Sequence, residues 1–84
     1  MGELSKCINI GSVLEEQLEQ AGIHTPEELE KAGSRDAWLR IKAADPSACL
    51  NRLYALEGAI RGVRWHSLPP EVKTELKDFY QKMK

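Results

Sequence analysis

Leu50-Asn51-Arg52-Leu53-Tyr54-Ala55-Leu56-Glu57-Gly58-Ala59-Ile60-Arg61-Gly62 is the stretch on which the fold turns. Leu53, Leu56 and Ile60 recur at helical spacing, Cys49 and Val63 extend the stripe at its two ends, and Leu50 and Tyr54 widen it. Asn51, Ala55, Gly58, Ala59 and Gly62 make a second strip of small side chains. Two glycines inside a helix each cost about 1 kcal/mol relative to alanine, and close approach of another backbone is expected to offset that cost. A helix that is apolar on one side and small on another is contacted from several directions, so this segment is read as the central one.

Working back toward the N-terminus, Asp45-Pro46 sets a capping residue before a proline and is expected to open this fourth helix. Ser34 is expected to cap the third, whose Ala37, Trp38, Ile41 and Ala44 fall on one face. Thr25-Pro26-Glu27-Glu28 reads as a capping box for a short second helix that packs Leu29 and Ala32 inward and stops at Gly33. Ser12-Val13-Leu14-Glu15 reads as another box. Its helix runs to Ala21, with Gly22 free to turn left-handed; Leu14, Leu18 and Ala21 face inward while Glu15, Glu16 and Glu19 face solvent. Toward the C-terminus, Pro70 opens a fifth helix with Val72, Leu76, Phe79, Tyr80 and Met83 in one stripe. Alternating β-branched runs and Asn-Gly hairpin turns are missing from the sequence, so the expected class is all-α: a compact five-helix domain over residues 1–84.

Composition agrees with a globular chain. The 84 residues are 42% hydrophobic and 30% charged, and a chain of this length buries roughly 60–65% of the surface its unfolded form exposes. Its apolar runs fall well short of the ~18 residues that cross a bilayer. The start, Met1-Gly2-Glu3-Leu4-Ser5-Lys6, does not read as a signal peptide, and Lys6 stands where a myristoylation motif wants Ser or Thr, so a cytoplasmic location without membrane attachment is expected. Cys7 and Cys49 lack metal or redox spacing and read as reduced, partly buried small hydrophobes. Charge is uneven although the net is −1: residues 1–30 carry seven acids and one base, residues 31–66 seven bases and three acids.

Candidate chemistry is sparse. His24 and His66 share no ligand spacing with each other or with the cysteines, and phosphate-loop and dinucleotide fingerprints are missing, so metal, cofactor and small-molecule substrate are not indicated. Ser12, Ser34 and Ser47 all read as caps, which leaves no nucleophile with a base, and an enzyme is not expected. Glu57 sits among Leu53, Tyr54, Leu56 and Ile60, either as a buried acid paired with Arg61 at i+4 or paired with an arginine from another helix. Arg61 and Arg64 beside Trp65 and His66 form the candidate binding surface, with Arg40 and Lys42 on the third helix as extensions and Arg35 beside them. Arginines next to an aromatic suit phosphate contact with base stacking. The plainer reading is that the arginines satisfy the helix end while Trp65 packs inward.

The segment Ile8-Asn9-Ile10-Gly11-Ser12 followed by Leu14, Leu18, Ala21-Gly22-Ile23 and Leu29 resembles helix-hairpin-helix domains, in which a Gly-apolar-Gly turn offers backbone amides to a DNA phosphate. Asn9 replaces the first glycine here, and the helix that follows carries Glu15, Glu16 and Glu19, which oppose a polyanion. Taken with Leu50–Gly62, Trp65 and Leu68-Pro69, the chain from about Leu4 to the last helix resembles the C-terminal domain of TfoX-type bacterial regulators. The resemblance implies an all-α domain similar to helix-hairpin-helix folds. It also implies a link to competence regulation, in proteins that carry a further N-terminal domain, and supplies no catalytic residues. The function expected is a stand-alone regulatory module acting through protein contacts, a second copy of itself among the candidates. The alternative is a weak nucleic-acid binder.

Overall fold

The computed structural model describes residue 4 and residues 7–83, and the punctuation of the sequence is visible in it. Five α-helices follow one another: α1 (Ser12–Gln20), α2 (Pro26–Ala32), α3 (Ser34–Ala44), α4 (Leu50–Arg61) and α5 (Pro70–Met83), with a 3-10 turn at Trp65–Ser67. The described residues contain no strand.

Thr25 caps α2 as expected: its Oγ1 accepts the Glu28 N–H at 3.1 Å, while the Glu28 carboxylate reaches back to the His24 N–H at 2.8 Å. Pro26 occupies the first helical position, where its missing N–H leaves nothing unsatisfied. Past α1, Gly22 is left-handed with φ 87°, and the Ile23 N–H returns to the Leu18 carbonyl at 2.9 Å. That closes two orphan carbonyls together with the Gly22–Glu19 bond.

Three expected caps are displaced, each for a tertiary reason. The N-cap of α1 is Gly11, extended and without a side-chain bond, so Ser12 lies inside the helix. Glu15 is only 5% exposed rather than solvent-facing, because it shares the inward arc with Leu14 and Leu18. Gly33 rather than Ser34 joins α2 to α3: with φ 87° it ends one helix and starts the next without a loop, and Ser34 turns inward to Glu57. Asp45 opens a turn, not α4, which begins four residues after Pro46 with Cys49 as its N-cap. The Asp45 carboxylate instead accepts from Ser47 N–H at 3.0 Å, Ser47 Oγ at 2.5 Å, Gln17 Nε2 at 2.9 Å and Arg52 Nη1 at 2.8 Å. One carboxylate thereby ties α1, the α3–α4 turn and α4 together.

α3 and α4 run antiparallel, joined at one end by Trp38 Nε1 donating to the Cys49 carbonyl at 3.1 Å and at the other by Ser34 and Glu57. α5 lies beside α3 in the same direction. Arg35 meets Glu75 at 3.6 Å, Trp38 meets Phe79 and Tyr80 edge-on, and Lys42 donates to the Met83 carbonyl. Trp38 is fully buried at the junction, with Leu4, Leu18, Ile23, Leu29, Ile41, Leu53, Leu56 and Leu76 equally enclosed. Each such side chain contributes about 1.5–3 kcal/mol on burial. Ala44, Cys49 and Met83, expected inward, are exposed: the first two flank the Asp45 turn and the third ends α5. Cys7 is half-buried, and burial, reinforced by the charges of Glu27 and Glu30, pushes its thiol above the usual range. Both cysteines are free.

Candidate functional site

The C-terminal end of α4 is built from a glycine, an asparagine and a tryptophan. Gly62 is left-handed with φ 74°, and Val63 N–H returns to the Gly58 carbonyl at 2.9 Å, so the chain folds back over the last turn of its own helix. Gly58 makes room for that return. A Cβ on it would lie 2.5 Å from Asn9 Nδ2 and 2.7 Å from the Val63 carbonyl oxygen. The two glycines thus have different reasons: Gly58 permits close approach, whereas Gly62 supplies a conformation.

Asn9 fills the space that Gly58 leaves. Its backbone takes φ 72°, the left-handed state that the glycine of a hairpin turn would adopt and that asparagine tolerates best among other residues. Its amide donates to the Val63 carbonyl at 2.9 Å and the Ala55 carbonyl at 3.5 Å, and its Oδ1 accepts the Trp65 N–H at 3.3 Å. One side chain thereby bonds the turn before α1 to the last turns of α4 and to the loop beyond.

Trp65, half-buried, is lined on one side by Tyr54 (centroids 6.0 Å apart, planes at 17°) and stacked on His66 (3.8 Å, 29°). The Tyr54 hydroxyl donates to the Lys73 carbonyl at 3.4 Å, and Lys73 Nζ donates to the His66 carbonyl at 3.1 Å, which anchors the stack to α5. His66 and Arg64 are exposed. Among the described residues Arg64 has no ion pair, whereas Arg61 Nε meets Glu57 Oε2 at 2.5 Å. The other Glu57 oxygen accepts Ser34 Oγ at 2.6 Å. Burial raises the Glu57 carboxyl, but the bonds from Ser34 and Arg61, with the charges of Arg61 and Arg35, outweigh it and hold the group below its ordinary value. Both pairings weighed for Glu57 are therefore present in part: a hydrogen-bonded ion pair within α4, and a more distant arginine from α3.

The remaining candidates lie elsewhere on α3. Arg40 pairs with Asp36 at 2.9 Å and borders an open depression of about 370 Å³, which it shares with Gly22, Ile23, Glu28, Lys31 and Asp36. Lys42 sits 5.2 Å from the Trp38 ring centroid and satisfies the end of α5. Neither shares a contact with Arg61, Arg64 or Trp65. Sequence reasoning missed Asn9 as the tie to this surface and His66 as its outer ring. The signal for Asn9 was present, since an asparagine replaces a glycine at a turn that needs a left-handed residue.

No helix among the described residues is long and apolar enough to cross a membrane, and none of their His, Cys, Asp and Glu side chains group as three or more around a possible metal. The fold matches two crystal structures from Listeria monocytogenes. An uncharacterised protein in a triclinic form is 54% identical, over 95% of this chain and 91% of that one, with a TM-score of 0.94. A protein of unknown function in a tetragonal form is 53% identical, over 96% and 99%, with a TM-score of 0.94. Curated proteins give no match. The family model of the TfoX C-terminal domain matches residues 1–80, and the chain belongs to that family.

Proposed function

We propose that this chain is a non-catalytic regulatory module that works by protein contact through the C-terminal end of α4. The observation that carries the reading is the Tyr54–Trp65–His66 stack, fixed to α5 and to Asn9, with an unpaired arginine at Arg64 beside it. Preorganised aromatic and arginine side chains are the groups that dominate protein interfaces, because they bring large contact area with little conformational freedom left to lose.

Two features count against catalysis. Ser34 bonds to a carboxylate, but Glu57 is held ionised by Arg61 and is a poor base for a hydroxyl. Ser47 is engaged with Asp45. The alternative reading, a weak nucleic-acid binder using Arg61, Arg64 and Trp65, is opposed by the same geometry. Arg61 is committed to Glu57, the Trp65 ring already carries Tyr54 and His66, and Glu16 and Glu19 are exposed on α1.

The test is affinity capture from a bacterial host extract with wild type, Arg64→Glu and His66→Ala in parallel. A partner held by wild type and lost by both variants is expected. A partner retained by both removes this surface from consideration. Retention of single-stranded or duplex DNA at low salt, with a slope against salt that Arg61→Ala and Arg64→Ala flatten, would establish the alternative instead.

A further inference from the structure

The candidate surface is held from outside its own element. Arg64, Trp65 and His66 follow a left-handed glycine in a three-residue loop and a single 3-10 turn, a segment too short to fix side chains by itself. The bonds that fix it come from Lys73 on α5 and from Asn9, 56 residues away from Trp65 along the chain. We infer that Asn9 and Trp65 are positioning residues for an Arg64–His66 contact pair, so that seating of the turn before α1 sets how the pair is presented. The inference rests on the function proposed above and names the residues that would meet the partner.

The stack supports this division of roles. Trp65 has Tyr54 and His66 against its ring and is half-buried, so the ring open to a partner is the imidazole, with the Arg64 guanidinium next to it in sequence. Trp65 is the platform. Its backbone N–H ends on Asn9 Oδ1, while the Asn9 amide holds the Val63 carbonyl on the near side of the loop, so one side chain grips the loop at both ends. Gly58 lets that amide sit against α4, where any Cβ would expel it. Ile10 is buried next to Asn9, and Cys7 is half-buried beyond it, so the turn carries the asparagine into place by its own apolar contacts. A turn that lifts off α4 therefore releases the loop.

The experiment is solution NMR on the full chain, wild type against Asn9→Gly. Glycine keeps the left-handed backbone and removes only the amide, which separates the tether from the turn. Wild type should show cross-relaxation between the Trp65 and His66 rings, with the His66 ring protons shifted by the indole ring current. Asn9→Gly should lose both while the core methyl resonances of Leu18, Leu53 and Leu56 stay in place. Ring contacts that persist unchanged in a folded Asn9→Gly overturn the inference. If that variant does not fold, backbone relaxation of the wild type decides. Residues 63–66 as rigid as α4 support the tether, and residues 63–66 more mobile than α4 refute it. Neither readout uses a partner, so failure here is distinct from failure of the capture experiment. Where a partner is captured, Asn9→Gly should weaken it several-fold although Asn9 does not touch it.

Discussion

α1 and α4 end alike and are used differently. Both close on a left-handed glycine, Gly22 or Gly62, and both return the next residue's N–H to a carbonyl one turn back, Ile23 to Leu18 and Val63 to Gly58. After α1 the chain buries Ile23 almost completely and, two residues later, enters the Thr25 cap of α2. After α4 the chain stays half-exposed and is held by polar bonds from Asn9 and Lys73. The same local device makes a closed corner in one place and a presented loop in the other. What differs is the partner of the turn: an apolar side chain entering the core, or an asparagine from the opposite end of the chain.

The sharpest way to break the comparison is Gly58→Ala. In an exposed helix interior the change would stabilise by about 1 kcal/mol through helix propensity. Here the new methyl meets the Asn9 amide and the Val63 carbonyl inside contact distance, and overpacking of this kind costs about 1–3 kcal/mol. A net loss is expected, read as a lower denaturation midpoint at unchanged slope. A gain in stability would show that the Asn9 clasp is slack.

Asn9→Ala should cost somewhat less, about 2 kcal/mol, from partly buried hydrogen bonds and a left-handed residue that alanine adopts poorly. Asn9→Gly should recover roughly 1 kcal/mol of that, the conformational part alone. If the two variants are equally stable, the backbone strain at Asn9 is negligible. Gly22→Ala and Gly62→Ala then compare the corners directly. Each places a side chain at positive φ in open space and should cost about 1–2 kcal/mol. Similar losses mark a purely local turn. A larger loss at Gly62 measures the coupling to Asn9.

These contrasts also show where sequence reasoning stops. Apolar spacing found the helices, and Gly22, Gly33 and Pro26 marked their ends, because those signals act through the local backbone alone. Caps were less legible. Ser12, Ser34 and Asp45 each carry an oxygen able to cap, but Ser34 and Asp45 met better long-range partners in Glu57, Gln17 and Arg52. Local pattern cannot rank a nearby N–H against a distant one. The same limit applies to charge. The basic middle of the chain is largely neutralised in the fold, since Arg35, Arg40, Arg52 and Arg61 all have acids beside them. Only the folded arrangement singles out Arg64 as the arginine of the candidate surface that stays unpaired among the described residues.

Acid titration gives the smallest expected effect and separates the two ends of α4. Glu57 at its C-terminal end and Asp45 before its N-terminal end are both held below their ordinary values. A depressed carboxyl contributes stability that is complete above its unfolded pKa and is lost as pH falls through the folded one. For Glu57 the window opens below about 4.5, the ordinary value, and for Asp45 below about 3.8. Burial works against Glu57, and Ser34 is the leading group that offsets it. Ser34→Ala should therefore raise the Glu57 carboxyl and move its part of the acid transition to higher pH. Ser47→Ala should do the same for Asp45, whose first lowering partner is the Ser47 hydroxyl, at a lower pH. Carboxyl-carbon NMR titration of the two variants checks the order. If Ser34→Ala leaves the Glu57 titration unmoved, Arg61 alone holds that carboxylate, and the bond across to α3 adds nothing to the end of α4 on which the candidate surface is built.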